Sequence, residues 1–423
     1  MGAMQLGDVI GADGSGDGKP LEGVRVLAAE QMQALPFATQ LLARLGADVV
    51  KVEHPTHGET GRGAHPAMVD PAGRRVGATF LRNNLGKRSV GLDLKHPRGR
   101  ELFLALVPRF DVVCDNFRSG TMDRLGLGHD QLASRHPTVV TLSISGFGNR
   151  IGDLGESPYA GWPAYAAIVE AMSGIYEYRR EPGARPRANP VGAFGDISSA
   201  LFGTIGLLAA LRQRDRTGRA QRVDVAMLDA LVAMTDIVTN LWSMGVHGPI
   251  ETEIESVIDT FPAADGFFVL QLGRLHHFRT VAEVVGHPEW LDDPGFADQG
   301  AWVDRFDAVV RPAIEAWAAS RTRAQAADAL GRAGLAAGPC LRPPEVIDDP
   351  HQAARAMIVE VPRTDDVKEP VLVPGNPVKI AGVAEGPETR VPWLGEHTDA
   401  VLADELGLSA DELDTLRVDG AIG

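Results

Sequence analysis

The sequence has few cysteines, few aromatic residues and no excess of positive charge. Only Cys114 and Cys340 occur among its 423 residues, which excludes a disulfide framework and is compatible with a reducing compartment. Its 41 Lys and Arg residues are outnumbered by 56 Asp and Glu residues, which argues against broad nucleic-acid binding, because that requires clustered positive potential. We also see no apolar run of about 18 residues, the length of a membrane span. These absences predict a cytoplasmic protein without nucleic-acid or membrane partners.

The length and hydrophobic content predict a chain of two or three compact domains. Its 423 residues, 44% of them hydrophobic, can bury substantial cores. Residues 1–20 are rich in Gly and Asp and lack the apolar core of a secretory signal. We therefore expect them to form a flexible leader.

Short apolar runs alternate with helical patterns in the N-terminal half. Strands are predicted at residues 24–28, 47–52, 89–94, 111–114 and 139–144. Helices are predicted at residues 36–45 and 97–107. This alternation predicts an α/β fold with an open, mainly parallel sheet covered by helices. Ligands of such sheets bind at the carboxyl ends of the strands.

The composition of the chain changes after Ala230. A hairpin signal and helical patterns follow, at residues 263–267, 305–318 and 322–330. Extended pieces are predicted later, at residues 371–373 and 378–380. Ser409 and Glu412 form a capping box for a last helix. We therefore predict a discontinuous fold with three parts: a large domain over residues 21–235, a smaller inserted α+β domain over 236–345, and a segment over 346–423 that completes the large domain.

The most informative stretch is VGAFGDISSA, residues 191–200. It places the Asp196 carboxylate directly after a glycine and ahead of a helix of small residues. Free backbone N–H groups and the helix dipole stabilise an acid at such a position. On local sequence alone the plainer interpretation is an N-cap, because Asp is a common capping residue. The segments around it favour a functional interpretation.

Seven segments carry a family pattern: GDISSALFGTIGLLAAL, RTGRAQRVDVAMLDA, LEGVRVLAAEQMQALPFATQLLARLGADVVKVEHP, NLGKRSVGLDLK, CDNFRSGTMDRLGLG, SISGFGN and PWLGEHTDAVLADELGLSADELDTLRVDGAI. Together they resemble the family III CoA-transferases, the group that includes formyl-CoA transferase, carnitine CoA-transferase and the α-methylacyl-CoA racemases. The resemblance runs from about Leu21 to the end of the chain. It implies a Rossmann-like large domain, acyl-CoA and carboxylic acid substrates, and a homodimer of interlocked chains.

The resemblance also implies a carboxylate nucleophile. In the family, the Asp of the Gly-Asp pair takes the acyl group from a thioester as a mixed anhydride, and Asp196 matches that residue. The oxyanions formed on the way need fixed hydrogen-bond donors. Backbone N–H groups at a helix start near Ser198 are one candidate. The side-chain amide of Gln33, which matches the family's active-site glutamine, is the other.

Residues for CoA are carried over from the same resemblance. They are His54, Leu92, Lys95, Asn116, Phe117, Arg124 and Leu125. Lys95 and Arg124 would neutralise phosphates, whereas Phe117 and the two leucines would flank adenine and the pantetheine arm. His54 stands where formyl-CoA transferase has arginine, so the charge at this position depends on pH.

Departures from the family pattern keep alternatives open. Ala166 stands where relatives carry an acid. Either Glu170, which replaces the usual Gln, supplies that acid, or Ala166 is an engineered change. A catalytically silent acyl-CoA-binding protein is the corresponding alternative. The racemases have a His where this chain has Tyr165, whose ordinary pKa near 10 suits proton transfer poorly. Residues 240–257 lack the consecutive glycines of formyl-CoA transferase, so formyl and oxalyl specificity does not follow.

Two further motifs indicate neither a nicotinamide nor a metal site. The glycines of GFGNRIG, residues 146–152, are followed by a loop-forming sequence, whereas a dinucleotide fingerprint needs a helix there. His276 and His277 are adjacent and have no further ligands at metal-binding spacing. We therefore expect acyl-CoA as the substrate and no metal or nicotinamide.

Overall fold

The structure, a computed structural model, describes residues 3–11, 18–178, 180, 183–247 and 256–423. The chain divides into two compact units. The first combines Met1–Val238 with Pro350–Gly423, and the second is Thr239–Asp349. The first unit is therefore assembled from two separate stretches of chain.

A six-stranded parallel sheet forms the centre of the first unit. Its strands are β1 (Arg25–Ala29), β2 (Asp48–Glu53), β3 (Arg88–Gly91), β4 (Val112–Asp115), β5 (Val140–Ser145) and β6 (Gln221–Ala226). They lie in the order β3-β2-β1-β4-β5-β6, and every neighbouring pair is parallel. The predicted Rossmann-like α/β sheet is confirmed, with β6 as a strand that we did not predict. The strand order reverses between β1 and β4, which is where ligands of such sheets bind.

Both faces of the sheet are covered, which explains why its strands read as continuous apolar runs. Val26 and Ala28 of β1 pack with Leu35 on one face. Leu27 packs with Phe103 on the other face. The α-helices of this unit are Ala34–Arg44, Ala78–Asn83, Pro97–Leu106, Thr121–Arg124, His129–Arg135, Ala166–Met172, Phe194–Thr217, Met227–Ala233, Pro350–Ala354, Thr398–Leu406 and Ala410–Val418. The capping box of Ser409 and Glu412 is present at the last of them.

Two small sheets complete the first unit. One contains Met4–Gln5, Ile358–Val361 and Val371–Pro374, and the other contains Ala67–Val69 and Arg75–Gly77. Met4 is buried and pairs with Val359, so the expectation of a flexible leader is wrong for this strand, because its apolar side chain joins a core. Residues 1–2 and 12–17 of that leader lie outside the described residues. Of the two predicted extended pieces, the one at 378–380 forms no strand.

The second unit has an α+β architecture. Its antiparallel sheet contains Val257–Ala263, Gly266–Leu272 and Ala336–Pro339, which confirms the predicted hairpin. Its α-helices are Leu275–Val285, Gln299–Asp304, Arg311–Ala318, Arg323–Arg332 and Pro343–Ile347. The helix predicted at 305–318 opens with a π-helical turn, Phe306–Val310. The core of this unit is aromatic and includes Phe261, Phe268, Phe278 and Trp302.

One described helix, Phe194–Thr217, is long and apolar enough to cross a membrane by length and composition. The expectation that the chain contains no such segment is therefore wrong. Half of its most apolar stretch is buried inside the protein. Gly203 of this helix packs so closely on β5 that an added Cβ would lie 2.9 Å from Ile144 Cδ1. The apolar character of its buried face is therefore explained by packing on the sheet. We call this helix the long helix below.

Candidate active site

Asp196 lies inside the first turn of the long helix, not at its cap. The helix begins at Phe194 and follows Ala193, a left-handed residue with φ of 49°. The N-cap interpretation of Asp196 is therefore wrong, and so is a helix start near Ser198. The structure gives the Asp196 carboxylate no hydrogen-bond partner among the described residues. The carboxylate is half-buried and lies at the N-terminal end of the long helix, where the helix dipole is positive.

Glu170 is the charged group that acts on Asp196. Burial, together with the negative charge of Glu170, raises the pKa of Asp196 to about 6. Glu170 is only 2% exposed. Its Oε1 accepts the Gly195 N–H at 3.1 Å, and its Oε2 accepts the Tyr176 hydroxyl at 3.0 Å. Asp196 is therefore still ionised at neutral pH, which is the form in which a carboxylate can act as a nucleophile.

The helix Ala166–Met172 meets the long helix beside Asp196. A Cβ on Gly195 would lie 3.3 Å from Ala166 Cα and 2.9 Å from Val169 Cγ2. This close approach leaves Gly195 as the residue that fits. Ala166 contributes no functional group here, and Glu170, one turn later, supplies the buried carboxylate.

Asp196 lines a cavity of about 190 Å³ at the carboxyl edge of the sheet. The turn after β1 contributes Gln31 and Met32 to the lining. Gln33, the predicted donor, does not line the cavity, although Met32 and Ala34 on either side of it do. Gln33 is the residue that precedes helix Ala34–Arg44. Arg118 and Ser119, which we did not predict, follow β4 in the same wall. Both lie in the CDNFRSGTMDRLGLG motif, which could have indicated them. The remaining lining residues are Ala34, Thr60, Asn116, Phe117, Ile144, Ser145, Gly146, Phe147, Ala160, Trp162, Pro163, Ala164, Tyr165 and Met227.

A second cavity, of about 320 Å³, contains most of the candidate CoA residues. They are His54, Leu92, Lys95, Phe117 and Leu125. Gln31, Thr60 and Phe117 line both this cavity and the Asp196 cavity. The two cavities therefore adjoin at these three residues.

Arg124 lies apart from Lys95. It lines a third cavity, of about 420 Å³, with Arg150 and Arg222, and that cavity shares Ser119 with the Asp196 cavity. Its guanidinium donates to Thr121 Oγ1 at 2.9 Å. The two candidate phosphate ligands thus line different cavities, each of which shares residues with the Asp196 cavity.

Asn116 acts as a clamp between the two strand ends. Its Oδ1 accepts the Gln31 N–H at 2.9 Å, and its Nδ2 donates to the Gln31 carbonyl at 2.8 Å. These bonds join the turn after β1 to the turn after β4. The Asn116 side chain therefore fixes the positions of these two turns relative to each other.

The charge at His54 is small at neutral pH. Burial lowers its pKa, and the neighbouring His57 lowers it further. The two rings stack with centroids 3.7 Å apart. Lys95, in contrast, is exposed and forms no ion pair among the described residues. Lys95 is therefore the permanent positive charge of this cavity.

No cluster of three or more His, Cys, Asp or Glu residues in the described part of the chain could hold a metal ion.

Residues 248–255, within the segment compared with the glycine loop of formyl-CoA transferase, lie outside the described residues.

Known proteins match this chain over most of its length. The model of "CoA-transferase family III" matches residues 21–398. The chain is 34% identical to the succinyl-CoA:mesaconate CoA-transferase of Haloarcula hispanica, over 92% of this chain and 96% of that protein. It is 32% identical to the formyl-CoA:oxalate CoA-transferase of Streptomyces coelicolor, over 96% and 99% of the two chains.

A solved structure of a CaiB/BaiF family protein from Brucella suis has the same fold. It matches with a TM-score of 0.78 and 30% identity, over 92% of this chain and all of the other. The sequence matches and the structural match therefore both extend over nearly the whole chain. The protein belongs to CoA-transferase family III and is an enzyme with CoA-transferase activity.

Proposed function

We propose that the enzyme transfers CoA from an acyl-CoA donor to a carboxylic acid acceptor through covalent intermediates on Asp196. The observation that carries this proposal is the carboxylate itself. It is half-buried, has no hydrogen-bond partner among the described residues, and lines a cavity that adjoins the one with His54 and Lys95. A carboxylate can carry an acyl group as an anhydride and a CoA group as a thioester.

The first half of the reaction loads CoA onto the enzyme. A carboxylate oxygen of Asp196 attacks the thioester carbonyl carbon of the donor, the C–S bond breaks, and CoA leaves as the thiolate. The product is a mixed anhydride between the acyl group and Asp196. The thiolate then attacks the aspartyl carbonyl carbon, which releases the donor acid as a carboxylate and leaves an aspartyl-CoA thioester.

The second half repeats these steps with the acceptor. The acceptor carboxylate attacks the aspartyl thioester, the thiolate leaves, and a new anhydride forms. Attack of the thiolate on the acceptor's carbonyl carbon then gives the new acyl-CoA and restores ionised Asp196. Each step exchanges one bond at a carbonyl carbon and needs no net proton transfer.

Local dipoles support the charged states of this cycle. The first turn of the long helix presents free N–H groups, which favour negative charge at Asp196 and at oxyanions near it. Gln33 remains a proposed donor, because it lies in the turn that lines the cavity. Lys95 would pair with a phosphate of CoA. The relatives named above differ in donor and acceptor, so the similarity supports the reaction class and not one pair of acids.

We also propose that the enzyme is a homodimer. Leu201, Phe202 and Ile205 lie on the long helix and are exposed, Ile205 to 64%. A row of exposed apolar side chains is a surface that another chain can cover, and the family resemblance indicates a second copy. Sedimentation equilibrium at micromolar concentration tests this, and a monomer would contradict it.

Product analysis and trapping test the mechanism. The enzyme is incubated with a panel of acyl-CoAs and free acids, and mass spectrometry identifies new acyl-CoAs. Hydroxylamine added during turnover should convert Asp196 to a hydroxamate in the parent enzyme, whereas D196N should fold, bind CoA and remain unlabelled. Transfer by D196N, after deamidation is excluded, or labelling at Glu170, would overturn the role of Asp196. Exchange of the substrate α-proton without CoA transfer would instead support the racemase alternative.

A further inference from the structure

We propose that Glu59 is a positioning residue for this reaction. Its buried carboxylate holds the turn at residues 31–33, which forms part of the wall of the Asp196 cavity. Glu59 lies far from Asp196 in the sequence and lines the neighbouring cavity, not the one that contains Asp196. It therefore acts through the turn.

The contact is a hydrogen bond to a residue with a strained backbone conformation. Glu59 Oε2 accepts the Met32 N–H at 2.8 Å and also the Gly61 N–H at 2.6 Å. Met32 has φ of 60°, in the left-handed region that residues with a side chain rarely adopt. Such a conformation persists only when its surroundings impose it. The Glu59 carboxylate, on a residue only 6% exposed, is the acceptor that meets the Met32 N–H.

The turn is also held on either side of Met32. Asn116 makes two hydrogen bonds to the backbone of Gln31. The Gln33 carbonyl accepts the Phe37 N–H at 2.9 Å, which begins the hydrogen-bonding of the following helix. The bond from Met32 to Glu59 is the contact between these two anchors. Its loss would release the middle of the turn, where Gln31 and Met32 line the cavity.

The two carboxylate oxygens of Glu59 have different surroundings. Oε2 makes the bonds to the turn, whereas Oε1 is buried and has no hydrogen-bond partner among the described residues. Lys51 Nζ lies 3.8 Å from Oε1 and 3.5 Å from the buried Glu30 carboxylate. The hydrogen bonds therefore need one acceptor oxygen, and an amide could still supply it.

Five variants test the role of Glu59. E59A removes the acceptor, and E59Q keeps one oxygen. E59A/M32G combines the loss with a glycine that adopts positive φ without strain. M32G alone is its reference, because Met32 itself lines the Asp196 cavity. E388A is the matched control, because Glu388 is also buried and ion-paired, to Arg44 at 2.9 Å, but does not contact the turn.

We expect E59A to lower kcat by about 10- to 100-fold, the cost of a small misplacement near reacting atoms. E59Q should stay within about threefold of the parent. The loss of kcat caused by E59A should be at least about fivefold smaller in the M32G background than in the parent, because the strain is removed at its source. E388A should keep the kcat of the parent. Equal loss of kcat in E388A, full activity in E59A, or an equal loss from E59A in both backgrounds would each overturn the proposal.

The role of Glu59 rests on the proposed function in one respect, namely that the reaction takes place in the Asp196 cavity. Hydroxylamine trapping separates the two. If the parent enzyme transfers CoA but Asp196 is not labelled, the proposed intermediate fails while the rescue of E59A by M32G still decides the role of Glu59.

Discussion

Glu170 accepts a hydrogen bond from the backbone N–H of Gly195, the residue that precedes Asp196, at 3.1 Å. The bond satisfies one of the free N–H groups in the first turn of the long helix. It also brings a second negative charge towards the proposed nucleophile, which raises the pKa of Asp196. In this chain, an acid one turn after Ala166 therefore both stabilises the helix start and raises the pKa of the proposed nucleophile.

The pH dependence of turnover should report on Asp196. Its pKa is about 6 because of burial and Glu170, and only the ionised form can attack a thioester. We expect kcat/KM for the acyl-CoA to rise with pH through about 6 and then to level off. E170Q keeps an acceptor for Gly195 but removes the charge, so the acid limb should move to lower pH. An acid limb that stays in place in E170Q, relative to a control variant of the exposed Glu177, would contradict this coupling.

Asp115 should make folding stability depend on pH. Burial raises its pKa to about 7, although the Phe117 N–H and Ser143 oppose the shift. The folded-state pKa lies above the unfolded value, so the stabilisation is fully present below about pH 4 and is lost as pH rises towards 7. D115N should flatten this slope in urea unfolding, where each pKa unit corresponds to about 1.4 kcal/mol. Parallel curves for D115N and the parent would refute the prediction.

Lys87 should be costly to remove. Its ammonium donates to Glu30 Oε1 at 2.7 Å, and both side chains are fully buried. Burial lowers the pKa of Lys87 to about 8, against the attraction of Glu30. K87M removes the ammonium and leaves the buried Glu30 carboxylate with less positive charge beside it. We therefore expect a loss of about 3–5 kcal/mol in the free energy of unfolding.

A surface ion pair provides the control for that measurement. Arg98 and Glu101 are both exposed and 3.3 Å apart. R98A should change the free energy of unfolding by less than about 1 kcal/mol. A loss in K87M no larger than the loss in R98A would show that the buried cluster contributes little.

The separation of Lys95 from Arg124 gives a prediction about CoA binding. K95A should weaken binding by about 1.5–3 kcal/mol, because a charge-assisted bond to phosphate is lost. Calorimetry at constant ionic strength measures this, and dephospho-CoA shows whether the 3′-phosphate is the partner. R124A should give a comparable loss only if CoA also reaches the third cavity. Unchanged affinity in either variant would remove that residue from the CoA site.

The sheet was predictable because buried parallel strands leave a strong signal. Five of its six strands stand out as apolar runs. β6 does not, since its residues are only partly buried except Ala226. The start of the long helix was misjudged because Gly195 resembles a helix breaker, whereas its close approach to Val169 accounts for a glycine there.

The site was only partly predictable, for a related reason. Asp196 and the candidate CoA residues were found through motifs, each of which is continuous in sequence. The sequence named Glu170 as the possible replacement acid but not its hydrogen bond with Gly195, and it gave no sign of the contact between Glu59 and Met32. Such contacts depend on how loops pack against each other, and no local periodicity records them.

The walls of the Asp196 cavity differ in construction. Gln31 and Asn116 follow neighbouring strands and are bonded to each other. The lining also includes Phe147 and Trp162, from residues 146–165, which contain neither helix nor strand. Gly148 and Asn149, near the start of this loop, are hydrogen-bonded to Ser119 and Gly120 in the turn after β4. A change there would therefore disturb that turn, so variation in the shape of the cavity is easiest at the far end of the loop, near Trp162.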